Sequence, residues 1–121
     1  MYIGVDIGGS KTLVVAGDQH SKILRQQKVD TPATAEQGMA EIIRLAEELA
    51  GDEPIKAIGV AAPGPIDWEQ QILFPRPTHN IAWKPTPIVK QLGEHFSVPV
   101  RLENDTNAAA LAEATLGAAM G

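Results

Sequence analysis

The stretch that most constrains the fold is the opening one, Tyr2-Ile3-Gly4-Val5-Asp6-Ile7-Gly8-Gly9-Ser10-Lys11-Thr12-Leu13-Val14-Val15-Ala16. Two short runs of β-branched and apolar residues flank a tight polar centre from Gly8 to Lys11, which predicts a β-hairpin. Successive glycines can take positive φ and turn their N–H groups toward one point, while Ser10, Lys11 and Thr12 add hydroxyl and ammonium donors suited to an anion such as phosphate. Asp6, at the end of the incoming strand, repels phosphate directly but suits a Mg²⁺ ion carried by a nucleotide. The phosphate loop G-x-x-x-x-G-K-[ST] is excluded, because Ser10 stands between Gly9 and Lys11, and no G-x-G-x-x-G is present. The same residues also suit a plain tight turn with a solvated lysine at its tip.

A chain of 121 residues builds one domain with a real core and is too short for two ordinary ones. The net charge of −5, with both signs interspersed, provides neither a basic stripe for nucleic acid nor a polybasic patch for a membrane surface. Cysteine is absent, which removes disulfides and thiolate metal sites and is compatible with a reducing compartment. No apolar run reaches membrane-spanning length and Met1 leads directly into a strand pattern, so a cytoplasmic location is expected. With aromatics at 4%, the core must be mostly aliphatic and alanine, as in packed α/β layers.

Downstream of the hairpin, Asp18–Ser21 is a polar turn and Ile23–Val29 a third, more exposed strand, which makes an antiparallel meander. His20 reads as a solvent-exposed turn residue. Thr34 with Gln37 resembles a capping box, and Met39, Ile42, Ile43, Ala46, Leu49 and Ala50 recur at helical spacing, predicting a helix over 34–50. Glu36, Glu41, Glu47 and Glu48 fall off that stripe as a solvated face. Ile55–Ala62 is an apolar run that follows a helix, the mark of a buried parallel strand reached by a crossover. It ends in the rigid corner Pro63-Gly64-Pro65, at the strand edge where open α/β sheets bind ligands.

Residues 66–87 change character, with prolines at 75, 77, 85 and 87, both tryptophans, and Ile72-Leu73-Phe74 as the one strand-like run. A long irregular insertion in a compact domain is functional or disordered, and Trp68, Trp83, Phe74 and Ile81 argue for order. Asn80 carries the donor and acceptors that an alcohol needs; His79 suits a turn. Thr86-Pro87 is expected to open the next helix as N-cap and N1, with Ile88, Val89, Leu92 and Phe96 buried and His95 at the surface. Val98–Leu102 is a fourth parallel-type segment. It ends in Glu103-Asn104-Asp105-Thr106-Asn107, ahead of an alanine-rich helix over 108–119. Asp105 or Thr106 would cap that helix, but five polar residues in a row exceed one cap. A carboxylate there, beside an amide, can accept a hydroxyl proton while the amide holds the same substrate.

Taken in order, Asp6-Ile7-Gly8-Gly9-Ser10-Lys11-Thr12, Gly59–Asp67, Asn80 with Trp83, and Glu103–Ala110 resemble the motifs of the ROK family (repressors, open reading frames and kinases) of the actin-like, ribonuclease H-like ATPase superfamily. The resemblance covers nearly the whole chain. It implies an α/β ribonuclease H-like lobe, a mixed sheet of three antiparallel N-terminal strands followed by parallel strands and flanked by helices. It implies a hexose kinase that uses ATP and Mg²⁺, with Asp105 as general base and Gly64, Asn80, Glu103 and Asn104 as further sugar-binding residues. It further implies that the turn of Gly8, Gly9, Ser10, Lys11 and Thr12 faces the ATP phosphates, with Asp6 near the metal. Phosphoryl transfer asks mainly for alignment and charge neutralisation, plus a base on the nucleophile, which suits this set.

Kinases of this kind run to roughly twice this length, the size of a two-domain protein. Residues 1–121 are therefore expected to be the N-terminal lobe of a two-lobed sugar kinase, inactive alone, from a parent expected to be a homodimer. The absent lobe would carry a second phosphate loop, the adenine pocket and often a zinc site. The family also contains sugar-binding transcriptional regulators, which carry a helix-turn-helix ahead of the first strand; a non-catalytic sugar-binding lobe and an unrelated α/β domain are further alternatives.

Overall fold

The computed structural model describes residues 1–20, 22–62, 66–67, 72–73, 83 and 85–103. Its elements run β1 (Tyr2–Ile7), β2 (Lys11–Gly17), β3 (Ile23–Asp30), α1 (Ala35–Ala50), β4 (Ala57–Ala61), β5 (Ile66–Asp67), β6 (Ile72–Leu73), α2 (Ile88–Phe96) and β7 (Val100–Glu103). Five strands form one sheet in the order β3-β2-β1-β4-β7, and β5 pairs with β6 separately. The β1–β2 and β2–β3 pairs are antiparallel, whereas β1–β4 and β4–β7 are parallel. The mixed sheet expected from the sequence is therefore present, and β5 and β6 add a short pair to the one strand-like run foreseen there.

Strand alternation explains the core. Ile3, Val5 and Ile7 are fully buried on one face of β1. Their register partners Ala16 and Val14 on β2, Ile58 and Val60 on β4, and then Leu102 beside Val60 continue that face across the sheet. The core cluster joins this row to Met39, Ile42, Leu45, Ala46 and Leu49 of α1 and to Ile88 and Leu92 of α2. Leu45, outside the stripe foreseen for this helix, is fully buried, while Ile43 is only partly so. Residues 38, 42, 45, 46 and 49 form the true 3.6-residue face, and each fully buried aliphatic side chain on it contributes roughly 1.5–3 kcal/mol. The other sheet face carries small residues at its centre, with Gly4, Val15, Ala57, Gly59 and Ala61 all buried.

The helix ends follow local chemistry. Thr34 Oγ1 accepts the Gln37 N–H at 3.2 Å, the N-cap expected. The C-terminus of α1 has no basic residue of its own, and Arg25 from β3 donates to the Leu49 carbonyl at 2.7 Å, which sets a cation at the negative end of the helix dipole. On its outer face Arg44 bridges Glu41 and Glu48, and Glu47 meets His95 of α2 at 3.0 Å, so the acidic face is solvated as foreseen. The α2 start differs from expectation: Pro87, not Thr86, occupies the N-cap, and no side chain caps it. Thr86 is buried in a strand bridge, which takes it away from the helix end. At the sheet edge β3 leaves Ile23 and Leu24 exposed, with Arg25, Lys28 and Asp30 as charges that discourage edge pairing. Among the described residues no helix is long and apolar enough to cross a membrane.

Candidate functional site

Parallel strands deliver their following loops to one edge of a sheet. Asp6 pairs with Ala61, and Ala61 pairs with Glu103, so these three positions form one row across β1, β4 and β7. With neighbouring strands about 4.8 Å apart, Asp6 and Glu103 stand roughly 10 Å from one another along that row. The glycine turn therefore leaves the same edge as the chain that continues past Ala62 and past Glu103. Oδ1 of Asp6 is buried at this edge, while the residue as a whole is half-buried.

The turn itself is tightly organised. The Gly8 N–H donates to the Lys11 carbonyl at 2.9 Å. Positive φ was the sequence rationale for Gly8 and Gly9, but among the described residues the glycine with positive φ is Gly51. The reason at Gly8 is close approach instead, because a Cβ there would lie 2.7 Å from the Lys11 carbonyl oxygen. Thr31, in the connection between β3 and α1, ties the turn down from the side. Its N–H donates to the Ser10 carbonyl at 2.9 Å, and its hydroxyl donates to the Gly8 carbonyl at 2.7 Å and meets Thr12 Oγ1 at 2.9 Å.

These bonds sort the candidate anion donors. Thr12 is buried with its hydroxyl on Thr31. Lys11, exposed, is ion-paired with Asp30, and that bond is the main reason the Asp30 carboxyl is held below its ordinary value. Ser10 is exposed, and among the described residues no backbone hydrogen bond uses the N–H groups of Gly9 or Ser10. No group of three His, Asp or Glu side chains able to hold a metal by itself occurs among the described residues. A metal carried by a polyphosphate needs only one or two protein carboxylates, and Asp6 fits that role.

The same connection supports a second anchor. Trp83 is buried, its indole N–H donates to the Pro32 carbonyl at 2.8 Å, and its ring lies over α1 where a Cβ on Gly38 would come within 2.1 Å of Cζ2. The order expected of this tryptophan is thus realised through packing on a helix glycine. Trp68, Phe74, His79 and Ile81 lie outside the described residues, as do Gly64, Asn80, Asn104, Asp105 and the alanine-rich helix over 108–119. Glu103 is described as the last residue of β7 by its backbone. A cavity of about 520 Å³ between the ends of α1 and α2, lined by Glu47, Ala50, His95 and Phe96 among others, opens at the opposite edge and contains no candidate site residue. Sequence reasoning missed Thr31 and Asp30, whose roles become visible only once the β2–β3 register sets Lys11 against Asp30, and Pro32, whose role becomes visible only once Trp83 is seen beside it.

The chain matches the ROK family over residues 2–121. It is 34% identical over 121 residues to the glucokinase of Streptomyces coelicolor, a match that covers all of this chain and 38% of that relative. Among solved structures, the ROK family glucokinase of Streptomyces griseus in complex with glucose and AMPPNP superposes with a TM-score of 0.77 at 34% identity, over 96% of this chain and 36% of that one. The ROK hexokinase of Thermus thermophilus gives 0.76 at 34% identity, over 93% of this chain and 37% of that one. The xylose repressor of Bacillus spizizenii is 29% identical over 123 residues, covering 97% of this chain and 31% of the repressor. The sheet order and these neighbours assign the actin-like ATPase fold. The chain spans little more than a third of the length of these relatives.

Proposed function

The chain belongs to the ROK family, and from that membership we propose that the complete protein is an ATP-dependent hexose kinase, glucokinase-like in substrate, of which residues 1–121 form the N-terminal lobe. The observation that supports this reading most directly is the row Asp6–Ala61–Glu103, because it brings the glycine turn and the segment entering Asn104-Asp105 to one sheet edge. Similarity to glucokinases at 34% identity supports the same substrate class.

In this mechanism Asp105 takes the proton from the acceptor hydroxyl of the sugar as that oxygen bonds to the γ-phosphorus. The bond from the γ-phosphorus to the bridging oxygen breaks, and ADP leaves with the electron pair. Gly64, Asn80, Glu103 and Asn104 hold the remaining sugar hydroxyls, which fixes the nucleophile in line. The N–H groups of Gly9 and Ser10 and the Ser10 hydroxyl hold phosphate oxygens, and Lys11 adds its charge after leaving Asp30. Asp6 would hold the Mg²⁺ that accompanies the nucleotide and neutralises charge on the phosphates. A coupled assay of the complete protein with ATP, Mg²⁺ and a panel of hexoses tests the reading; absence of turnover with every sugar overturns it. Similarity to a xylose repressor favours a second reading, a sugar-responsive regulator. Sugar-dependent DNA binding without phosphorylation would select it.

A further inference from the structure

The Lys11 side chain of the turn proposed to hold phosphate is tied to Asp30, which leaves the direction of the turn's peptide groups to be set by hydrogen bonds to the backbone. A hydroxyl has one proton. The Thr31 hydroxyl gives its proton to the Gly8 carbonyl at 2.7 Å, so in its 2.9 Å contact with Thr12 it is the acceptor and Thr12 the donor. Thr12 is thereby committed within the protein and held buried.

The C=O and N–H of one trans peptide point in opposite directions. Because the Gly8 carbonyl is drawn toward Thr31, the Gly9 N–H of that same peptide is turned away from Thr31. The Thr31 N–H fixes the Ser10 carbonyl in the same way at 2.9 Å. Two of the turn's carbonyls, which would repel an anion, are thus bound on the Thr31 side, and the N–H of Gly9 is left on the other.

We propose, resting on the kinase reading above, that Thr31 is a positioning residue for phosphoryl transfer: its hydroxyl pins the Gly8 carbonyl so that the Gly9 N–H is aimed at the ATP phosphates before nucleotide binds. Thr31 touches neither sugar nor phosphate, and its effect is confined to the nucleotide side of the shared sheet edge. Its neighbour Pro32 receives the Trp83 indole at 2.8 Å, which fixes the connection to α1 and gives Thr31 a rigid base.

The test compares the complete protein with its Thr31→Val and Thr31→Ser variants by kinetics at varied ATP and at varied hexose. Loss of the hydroxyl raises the KM for ATP about tenfold, the order set by one well-aligned hydrogen bond, and leaves the KM for hexose within about twofold. Serine restores the KM for ATP to within about twofold of wild type. The double variant Thr12→Val/Thr31→Val removes both hydroxyls without stranding a buried donor; it provides a folded comparison if Thr31→Val alone melts early, and it shows the same ATP-specific loss. An active wild type with an unchanged KM for ATP in Thr31→Val, or with equal losses for ATP and hexose, or without rescue by serine, overturns the role of Thr31 and leaves the kinase reading standing. A wild type that phosphorylates no hexose overturns the kinase reading, and this inference with it.

Discussion

Replacing Gly38 by alanine should destabilise the protein although alanine is the better helix former, and the sign should reverse once Trp83 is cut back. The new Cβ would lie 2.1 Å from Trp83 Cζ2 and 2.3 Å from Cη2, where carbon atoms in contact sit about 3.5–4.0 Å apart. The ring must therefore recede by more than about 1 Å, yet its indole N–H is bound to the Pro32 carbonyl at 2.8 Å and the residue is 4% exposed. Alanine gains about 1 kcal/mol of helix propensity. Against this stand the hydrogen bond, worth about 1 kcal/mol, and part of the 3–5 kcal/mol lost when a core tryptophan is truncated. The net expectation is a loss of about 2–3 kcal/mol. In a Trp83→Leu background the clashing ring atoms are gone, and Gly38→Ala should then stabilise by up to about 1 kcal/mol. Urea unfolding of the four proteins in the cycle provides the numbers. An equal loss from Gly38→Ala in both backgrounds would refute the argument that the glycine exists to seat the indole.

The remaining expectations concern the proposed chemistry. Asp105→Asn keeps shape and removes the base, so turnover falls by about 10²–10⁴-fold while hexose affinity, measured by calorimetry, stays within a few-fold. Asp30→Asn removes the carboxylate that competes with phosphate for Lys11 and lowers the KM for ATP by less than about fivefold, the ceiling set by a solvent-exposed ion pair. The sign with pH follows from the depressed Asp30 carboxyl: the pairing is present above its unfolded pKa and is lost as pH falls through the folded one. The stability difference between wild type and Asp30→Asn should therefore vanish in acid, as read by urea unfolding of both proteins at a series of falling pH values.

Much of the fold was legible because its signals are local. Paired β-branched runs around a glycine turn, a threonine cap three residues before a glutamine, and an apolar run after a helix each fix an element without reference to the rest. Other features depend on partners far along the chain. Gly38 looks like a weak point in α1 until Trp83 is seen on it, and Thr31 looks like an ordinary residue after a strand until the β2–β3 register sets it against Ser10 and Gly8. Gly8 shows a different limit: positive φ and close approach both demand glycine, and sequence alone does not separate them. For α2, Thr86-Pro87 has the composition of a cap, but burial of Thr86 in a bridge moved the start to Pro87. At the site, Asp6 and the turn are described in full, whereas the sugar-side expectations at Gly64, Asn80, Asn104 and Asp105 rest on their places in the chain.

On the kinase reading, the arrangement also bounds what residues 1–121 can do alone. The β1–β2 turn, the β3–α1 connection and the chain leaving β4 and β7 share one edge, while Asp18-Gln19-His20 and the segment entering β4 lie at the other. On the proposed nucleotide side of that shared edge, the donors left for phosphate are the N–H groups of Gly9 and Ser10 and the Ser10 hydroxyl, while Lys11 would exchange one exposed ion pair for another with little net gain. Three hydrogen bonds to a charged group supply about 4.5–9 kcal/mol, and association costs about 4–15 kcal/mol. Over nearly all of that range the surplus falls short of the 4.1 kcal/mol that corresponds to a Kd of about 1 mM. Residues 1–121 alone should therefore hold ATP no better than millimolar in calorimetry, and tight binding must come from protein surface elsewhere. Micromolar ATP affinity of residues 1–121 alone would mean that donors beyond this turn already complete the proposed nucleotide site.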